Sequence, residues 1–419
     1  MEMVAENKVI QFVKGFDLPP RTGAIRKEAL QALQAMDFPT TKVEDWKYTR
    51  VTRITNKNFE QRREDAETDN FLIPGMEAHV LVFINGYFSE KRSLIREDDE
   101  AVSILSIEEL NDLYYSDLMD EIDENVFSLI NKAYHTGGKF IQVAANKKAK
   151  YPVHLIHVVK GEQVIANVRH FVHLEKGAEL ELVGSFHSED ASESFTNVVF
   201  EGHLEENAHL SLNKLQFEDK EVFHIAREFF VQDQSSNFKI NTVTTGGLIT
   251  RNSLDVFVEG ENCHTELNGV YMGTSKQHMD NHTLIEHLFS NCTSSETYKG
   301  VMDDKSTGVF NGKVIVRQDA QKIEAYQSNG NVLLSDHASV NSKPELEIYA
   351  DDVRCSHGST IGQLNQDAVF YLRSRGISEE KAKRLIVSAF IAEVLDKISS
   401  EPVRNFVDKH FYESFGWGF

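Results

Sequence analysis

Cysteine is scarce in this chain of 419 residues. The three cysteines, Cys263, Cys292 and Cys355, are an odd and small number, which argues against a disulfide framework and fits a reducing compartment. Three thiols also cannot complete a four-thiolate metal site within one chain. The composition therefore excludes a self-contained site of that kind.

Long apolar runs and an excess of basic residues are absent as well. No stretch approaches the roughly 18 apolar residues of a membrane span, and the first residues lack the basic start and apolar run of a signal peptide. The 65 acidic residues exceed the 44 basic ones, and the net charge of −21 repels phosphate backbones and anionic membrane surfaces. We expect a cytoplasmic protein that binds neither nucleic acid nor membranes.

The seven prolines are unevenly placed, and none lies between Pro152 and Pro344. Proline removes a donor from a strand ladder, so such a gap is expected where nearly every residue pairs in a sheet. The stretch from about 140 to 350 consists of short β-branched and aromatic runs separated by Gly, Asn and Asp. No window in it has a long helical stripe.

Similar segments recur in this central stretch, starting at His173, His203, Phe230, Phe257 and His287. The starts are 30, 27, 27 and 30 residues apart, and each segment reads as a strand end, a polar turn and another strand. A period of this size is typical of a solenoid, whose stacked coils bury one continuous core. A β-sandwich, whose strands also recur at short spacing, is the alternative.

Helical patterns flank the central stretch and predict three regions, 1–138, 139–358 and 359–419. In the first region, apolar residues recur at helical spacing over 24–36 and again over about 106–134, and in the second of these stretches acidic residues are concentrated between Asp117 and Glu124. Between them, an Asn-Gly pair after Ile84 separates two apolar runs and predicts a type I′ hairpin.

The last region reads as three helices. Asn365 and Ser378 suit the N-caps of the first two, and Gly376 suits the left-handed position between them. A third short helix is expected after Pro402. Such flanking helices could cover the open ends of a solenoid.

The sharpest cluster of chemically active side chains lies at 351–358. In strand geometry Cys355 and His357 point to the same side, and a thiolate with an imidazole suits zinc, copper or an iron–sulfur cluster. Two ligands are too few for a closed site, so a second chain would have to supply the rest. Two alternatives stay open at this point: His357 activating Cys355 for nucleophilic catalysis, and a purely structural pair.

Other candidate sites are weaker. Asp351, Asp352 and Arg354 could serve a β-solenoid enzyme of the polysaccharide lyase or esterase type, and this is the competing function. The glycine-containing segment at 308–314 lacks the spacing and the Ser or Thr of a phosphate loop, so we expect no ATP hydrolysis by this chain.

The remaining histidines and cysteines have mainly structural interpretations. His278 and His282 share a strand face that His287 does not, which makes a poor metal site. Cys263 and Cys292 read as packing at turns. The scattered histidines read as polar caps at coil corners: His154, His157, His170 and His173.

The stretch 343–377, KPELEIYADDVRCSHGSTIGQLNQDAVFYLRSRGI, closely resembles the SufB/SufD family of iron–sulfur cluster assembly proteins. Segments 40–49, TTKVEDWKYT, and 308–335 resemble the family too, so the similarity spans nearly the whole chain. The Cys-Ser-His-Gly and Leu-Arg-Ser-Arg-Gly-Ile forms, the short length and the few cysteines place the resemblance in the SufD branch.

This resemblance implies a right-handed parallel β-helix core with helical ends, and a non-catalytic scaffold. It implies pairing with SufB, binding of the ATPase SufC, and a transient iron–sulfur cluster built at the SufB–SufD interface and passed to acceptors. No tightly bound cofactor is expected in the isolated chain, which is also expected to be able to form a homodimer.

The same resemblance assigns roles to individual residues. His357 matches a histidine that meets a SufB cysteine and holds the nascent cluster, and Cys355 matches the adjacent family cysteine. The expected SufC-binding residues lie in the C-terminal helices: Phe370, Tyr371, Leu372, Arg373, Arg375, Gly376, Leu385 and Phe390.

Overall fold

Two long parallel sheets face each other in the computed structural model, which describes residues 7–18, 23–110 and 125–415. From β4 onward, successive strands alternate between the sheets, so that each coil adds one strand to each of them. The chain is mainly β, with a parallel solenoid of about eight turns and helices towards both ends. The predicted solenoid is confirmed, and the parallel ladders exclude the sandwich alternative.

The strands within the described residues are β1 His79–Ile84, β2 Tyr87–Phe88, β3 Val102–Ser106, β4 Lys139–Val143, β5 Val153–Glu162, β6 Ile165–Leu174, β7 Glu179–Ser192, β8 Phe195–Leu204, β9 His209–Gln216, β10 Phe223–Gln232, β11 Asn237–Thr244, β12 Ile249–Val258, β13 His264–Gly273, β14 His278–His287, β15 Thr293–Met302, β16 Thr307–Val316, β17 Ile323–Leu333, β18 Ser339–Ile348 and β19 Val353–Gln363. The helices are α1 Lys8–Val13, α2 Ala24–Leu33, α3 Thr52–Thr55, α4 Val126–Tyr134, α5 Gln366–Ser374, α6 Glu379–Leu395 and α7 Glu401–Phe415. None of these helices is long and apolar enough to cross a membrane.

The predicted hairpin is confirmed, and it extends one of the two sheets. Asn85 and Gly86 have φ angles of 50° and 83°, as a type I′ turn requires, and they join β1 to the antiparallel β2. Strand β1 also pairs in parallel with β5. This sheet therefore begins in the N-terminal region and ends at β19, and we call it the odd-numbered sheet because from β5 onward its strands have odd numbers. The other sheet, which runs from β3 and β4 to β18, is called the even-numbered sheet.

Apolar side chains from alternate strand positions fill the lumen between the sheets. Aromatic rings contact one another there between the sheets, as Phe230 of β10 stacks on Phe238 of β11 with centroids 4.2 Å apart, and from coil to coil, as Phe200 of β8 meets Phe230 with centroids 5.8 Å apart. Outside the lumen, α2 and α4 pack with the even-numbered sheet around Phe127 and Phe195, and α6 and α7 cover the odd-numbered sheet. Both outer faces thus lose much of their apolar surface to helices.

The repeat is real, but its alignment differs from the sequence prediction. His173 pairs with His203, which pairs with Val231 rather than Phe230. In the following coils, Val231 pairs with Phe257, and Phe257 pairs with Glu286 rather than with His287. A one-residue error moves a side chain to the opposite face of its sheet, and weak sequence identities could not exclude it.

Helix boundaries also needed correction. Helix α2 ends at Leu33, where Gln34 forms the C-cap, and not at the end of the predicted stretch. Within the described part of the helix predicted over about 106–134, the structure has the 3₁₀ helix Ile107–Glu109 and α4, and Val102–Ser106 is a strand. Residues 111–124, which include the acidic residues from 117 to 124, lie outside the described residues.

The C-terminal caps are as predicted. The side chain of Asn365 accepts from Ala368 N, that of Ser378 accepts from Lys381 N, and Gly376 has a φ angle of 86°. Pro344 lies within β18, the outermost strand of the even-numbered sheet, where a missing ladder donor is tolerated.

Candidate functional site

Cys355 and His357 lie on β19, the last strand of the odd-numbered sheet. Their Cα partners on β17 are Ala325 and Gln327, which face the lumen and are buried. Because the register is continuous, Cys355 and His357 also face the lumen side. Cys355 is half-buried against the core, whereas His357 is exposed because no further coil covers it.

The last coil leaves the lumen open at this end. Strands β18 and β19 are outermost in their sheets, and each has an unpaired edge among the described residues. Ser359 Oγ donates to Ser342 Oγ at 2.7 Å and so links the two strands across the lumen. Ile348 and Ile361, from the lumen-facing rows of the two strands, are 41 % and 48 % exposed. Cys355 and His357 are therefore displayed between two free strand edges on a partly apolar surface.

The chemistry of this pair is that of an incomplete ligand set. Burial raises the pKa of the Cys355 thiol, so that the free side chain is protonated near neutral pH. His357 offers an exposed imidazole, a good ligand in its neutral form. Across the described parts of the chain, no group of three or more His, Cys, Asp or Glu side chains is placed to hold a metal ion. The two donors amount to half a site at most.

The acidic residues before β19 do not form an enzyme-like groove with their basic neighbour. Asp351 and Asp352 are exposed in the turn between β18 and β19. Arg354 projects from the face of β19 opposite Cys355, and its Nη1 lies 3.2 Å from Glu324 Oε1. These three groups diverge, so the geometry gives the competing enzyme hypothesis no support.

The scattered histidines are mostly not corner caps, so that prediction was wrong. His157 is buried in the lumen, stacked between Phe83 and Phe186 with centroids 5.1 and 4.6 Å away. His154 and His170 are also buried in the strands, and burial lowers the pKa of each to about 3. Only His173 lies at a coil corner, where its Nε2 is 2.8 Å from Glu205 Oε1. Neutral imidazole rings pack here as aromatic core residues.

The histidines of β14 are divided between the two faces of the sheet, as the parity argument predicted. His278 and His282 lie on the outer face on either side of Asp280, which is buried and paired with Arg251. His287 points inward, and its Nε2 is 3.0 Å from Ser294 Oγ. These contacts describe an ion-pair network and a core residue rather than a metal site.

The other two cysteines occupy equivalent corners of successive coils. Cys263 Sγ lies 3.0 Å from the Asp233 carbonyl oxygen, and Cys292 Sγ lies 3.1 Å from that of Gly260. Both side chains are buried in the main core. Their positions agree with packing at turns.

The C-terminal helices present some of the expected partner-binding residues to solvent and use others internally. Phe370 and Tyr371 on α5 are 72 % and 58 % exposed, and Leu385 on α6 is 40 % exposed. Phe390 is half-buried, with Lys299 Nζ 4.6 Å from its ring centroid. The others occupy α5 and the turn after it, where Leu372 is half-buried and Arg373, Arg375 and Gly376 are exposed.

The N-terminal TTKVEDWKYT segment crosses the outer face of the even-numbered sheet, which sequence reasoning did not foresee. Glu44 pairs with Lys343 of β18 at 3.0 Å. The Trp46 ring lies 3.9 Å from the guanidinium carbon of Arg251 on β12. The segment thus ties the N-terminal region to the late coils of the solenoid.

A buried polar row behind His357 also escaped the sequence analysis. Glu296 on β15 and Gln327 on β17 are Cα partners, and both face the lumen with exposures of 2 % and 3 %. Gln327 Nε2 donates to Glu296 Oε2 at 2.6 Å. The sequence does contain a pattern that indicates this row, namely polar residues at alternate positions of adjacent coils. The pattern can be recognised only after the coils have been aligned correctly.

Comparison with known proteins gives matches along most of the chain. Residues 19–155 match the family model "SufBD protein N-terminal region", and residues 157–390 match "SUF system FeS cluster assembly, SufBD core domain". The chain is 32 % identical over 385 residues to the iron–sulfur cluster assembly protein SufD of Escherichia coli, covering 90 % of this chain and 89 % of that protein.

Two further relatives show similar coverage. An iron–sulfur cluster assembly SufBD family protein of Synechocystis is 32 % identical over 392 residues, 89 % of this chain and 86 % of its own length. The chloroplastic protein ABCI7 of Arabidopsis thaliana is 29 % identical over 413 residues, 92 % and 84 % of the two chains.

Proposed function

This chain belongs to the SufBD family of iron–sulfur cluster assembly proteins, and from that premise we propose that it is a SufD-like scaffold subunit. It pairs with SufB, binds the ATPase SufC, and holds part of a nascent cluster that is later transferred to acceptor proteins. It works in the cytoplasm and catalyses no reaction of its own.

The observation that carries this proposal is the open last coil with Cys355 and His357 between two free strand edges. A free edge can be extended by strands of another chain. A SufB solenoid docked edge to edge here would cover the partly apolar opening and bring its own ligands to the lumen side of β19. The half site would then be completed at the interface.

Within that interface the two side chains have different tasks. His357 ligates iron through a neutral imidazole nitrogen while SufB supplies a thiolate. Cys355 must lose a proton before it can bind iron or accept sulfur, because the thiolate is the reactive form. Its raised pKa keeps the thiol protonated until a metal or a partner charge approaches.

SufC is proposed to bind the exposed surface of α5 and α6, including Phe370, Tyr371 and Leu385. These helices are anchored to the odd-numbered sheet: Lys397 Nζ of the turn after α6 lies 3.2 Å from Glu266 Oε1 on β13. That sheet ends at β19. Movement of the helices during the ATPase cycle of SufC can therefore strain the strand that presents His357.

Co-expression with SufB and SufC, followed by size-exclusion chromatography and iron and sulfide analysis, tests the proposal. A stable complex that carries iron and sulfide is expected. His357→Ala should assemble normally but carry less cluster, whereas His337→Ala, an exposed histidine before β18, serves as the matched control. Wild-type cluster content in His357→Ala, or failure of the wild-type chain to join the complex, would refute the assignment.

A further inference from the structure

Glu296, Gln327 and His357 occupy the same lumen-facing column in three successive coils. Glu296 is the Cα partner of Gln327, and Gln327 is the Cα partner of His357. Parallel in-register strands hold such side chains next to one another at the strand spacing of about 4.8 Å. The only exposed member of the column is the candidate cluster ligand.

The hydrogen bonds of this column fix the direction of the Gln327 amide. Its Nε2 donates back to Glu296 Oε2 in the preceding coil at 2.6 Å, and the other Glu296 oxygen accepts from Thr283 Oγ1. The nitrogen and oxygen of an amide lie on opposite sides of its carbon. Gln327 Oε1 therefore points away from the Glu296 carboxylate, and the coil on the other side of β17 from β15 is the one that holds His357.

This oxygen is an unused acceptor. Gln327 Oε1 is buried, and no donor among the described residues reaches it. Buried polar atoms are nearly always hydrogen-bonded, so an orphaned carbonyl next to the site calls for an explanation. The reverse amide orientation would only place this oxygen against the Glu296 carboxylate, with two acceptors face to face.

We propose that Gln327 is a positioning residue for His357: the exposed imidazole, which makes no hydrogen bond to Gln327 in this structure, rotates so that its N–H donates to Oε1, and Glu296 holds the amide in the orientation that allows this. The other ring nitrogen then presents its lone pair to the open end of the lumen. Metal-ligating histidines commonly donate their second N–H to a carboxylate or carbonyl in this way. The inference rests on the proposed role of His357 as a ligand.

The tautomer of His357 is the direct readout, and it needs no partner protein. Nitrogen-15 NMR of the isolated chain at about pH 8, where an ordinary histidine is neutral, distinguishes the two ring tautomers. One dominant tautomer is expected in the wild type and a mixture in Gln327→Met, which keeps the chain length but removes the acceptor. An unchanged tautomer ratio in folded Gln327→Met would overturn the proposal.

Two further variants keep the test interpretable. Glu296→Gln keeps the size of the side chain but removes the charge that orients the Gln327 amide, so it should also relax the tautomer preference of His357. This variant provides a test even if Gln327→Met folds poorly. Asn329→Leu removes a lumen amide two residues along β17, opposite Ser359, and should leave the tautomer of His357 unchanged. If Asn329→Leu changes the tautomer ratio of His357 as much as Gln327→Met does, the change reflects a general loosening of the coil, and the specific contact is refuted.

Cluster content of the complex with SufB and SufC separates this inference from the proposed function. Gln327→Met should assemble normally and lose about 10-fold or more in iron affinity, as is typical when such a supporting contact is lost. A changed tautomer with wild-type cluster content would refute the positioning role. Wild-type content in His357→Ala would instead refute the ligand role, whatever the tautomer result.

Discussion

Lys299 on the outer face of β15 donates through Nζ to the backbone carbonyl of Phe390 on α6 at 2.6 Å. The same nitrogen pairs with Glu393 and lies 4.6 Å from the centroid of the Phe390 ring. One lysine thus anchors the middle of α6 to the odd-numbered sheet by a hydrogen bond, an ion pair and a cation–π contact. The aromatic residues of the C-terminal helices therefore divide into those that anchor the helices and those that remain exposed.

Phe370→Asp should abolish binding of SufC while leaving the chain folded. The ring is 72 % exposed, so its replacement should change the free energy of unfolding by no more than about 0.5 kcal/mol. A charge at the centre of an apolar contact surface is unfavourable because it loses hydration on binding. Co-purification with SufC and a urea titration of the isolated chain measure the two effects.

Phe390→Asp is the matched comparison, since it should weaken SufC binding through a different route. The variant removes the aromatic ring that Lys299 Nζ contacts. We therefore expect the free energy of unfolding to fall by about 1–3 kcal/mol. Unchanged stability in this variant would contradict the anchoring role. SufC retention by Phe370→Asp would remove α5 from the proposed surface.

Ile361→Lys should prevent association through the open end of the solenoid. The side chain is on the lumen-facing row of β19 and is 48 % exposed, so that a lysine costs little in the free chain but opposes edge-to-edge docking. Leu72→Lys, at 41 % exposure in the N-terminal region, is the control. Size-exclusion chromatography of the isolated chain and of mixtures with SufB should show dissociation only for Ile361→Lys, and equal behaviour of the two variants would contradict this interface.

Arg169→Met should destabilise the fold severely. The Arg169 guanidinium binds both oxygens of Glu201 between β6 and β8, and both side chains are only 1 % exposed. Removing one partner leaves an unpaired buried charge, which lowers the free energy of unfolding by about 3–5 kcal/mol. Replacing both partners by apolar residues restores much of that free energy. Urea unfolding of Arg169→Met, Glu201→Leu and the double variant should therefore be strongly non-additive, and additive losses would argue against this pairing.

Stability should fall as the pH drops below about 6.5. Burial lowers the pKa of five histidines to about 3 or 4: His135, His154, His170, His287 and His410. Below the unfolded pKa the unfolded chain binds protons that the folded chain cannot, so the free energy of unfolding decreases with falling pH. The loss reaches about 1.4 kcal/mol per histidine by pH 5.5.

Three carboxyl groups whose pKa values are raised by burial, those of Glu181, Asp219 and Asp408, act in the opposite direction, and so does Glu296, with the largest shift. Burial raises the pKa of Glu296 to about 7, so that protonation between pH 7 and 4.5 favours the folded chain. The five histidines outweigh these carboxyl groups, and the melting temperature should drop sharply between pH 7 and 5.5. A melting temperature that is constant over this range would contradict the burial of these rings as neutral imidazoles.

The sequence predicted the elements whose signals are local. The Asn85-Gly86 turn, the caps at Asn365 and Ser378, and the strand alternation that leads to Cys355 and His357 each depend on a few neighbouring residues. The register between coils depends on contacts about 30 residues apart, and the sequence alignment was one residue off at Phe230 and His287. Histidines in the lumen were misread for a related reason, because their aromatic neighbours belong to other coils.

By itself, the sequence favoured a solenoid with helical ends over a β-sandwich, and it placed Cys355 and His357 on one strand face as a pair too small to complete a metal site alone. The period, the proline gap and the count of three cysteines are properties of the chain and need no partner atoms. The tertiary structure alone decided that β18 and β19 are the final, uncovered strands and that Glu296 and Gln327 lie behind His357. Which coil is last, and which side chains stack across coils, follow from hydrogen-bond register, and register is a relation between distant segments rather than a property of either one.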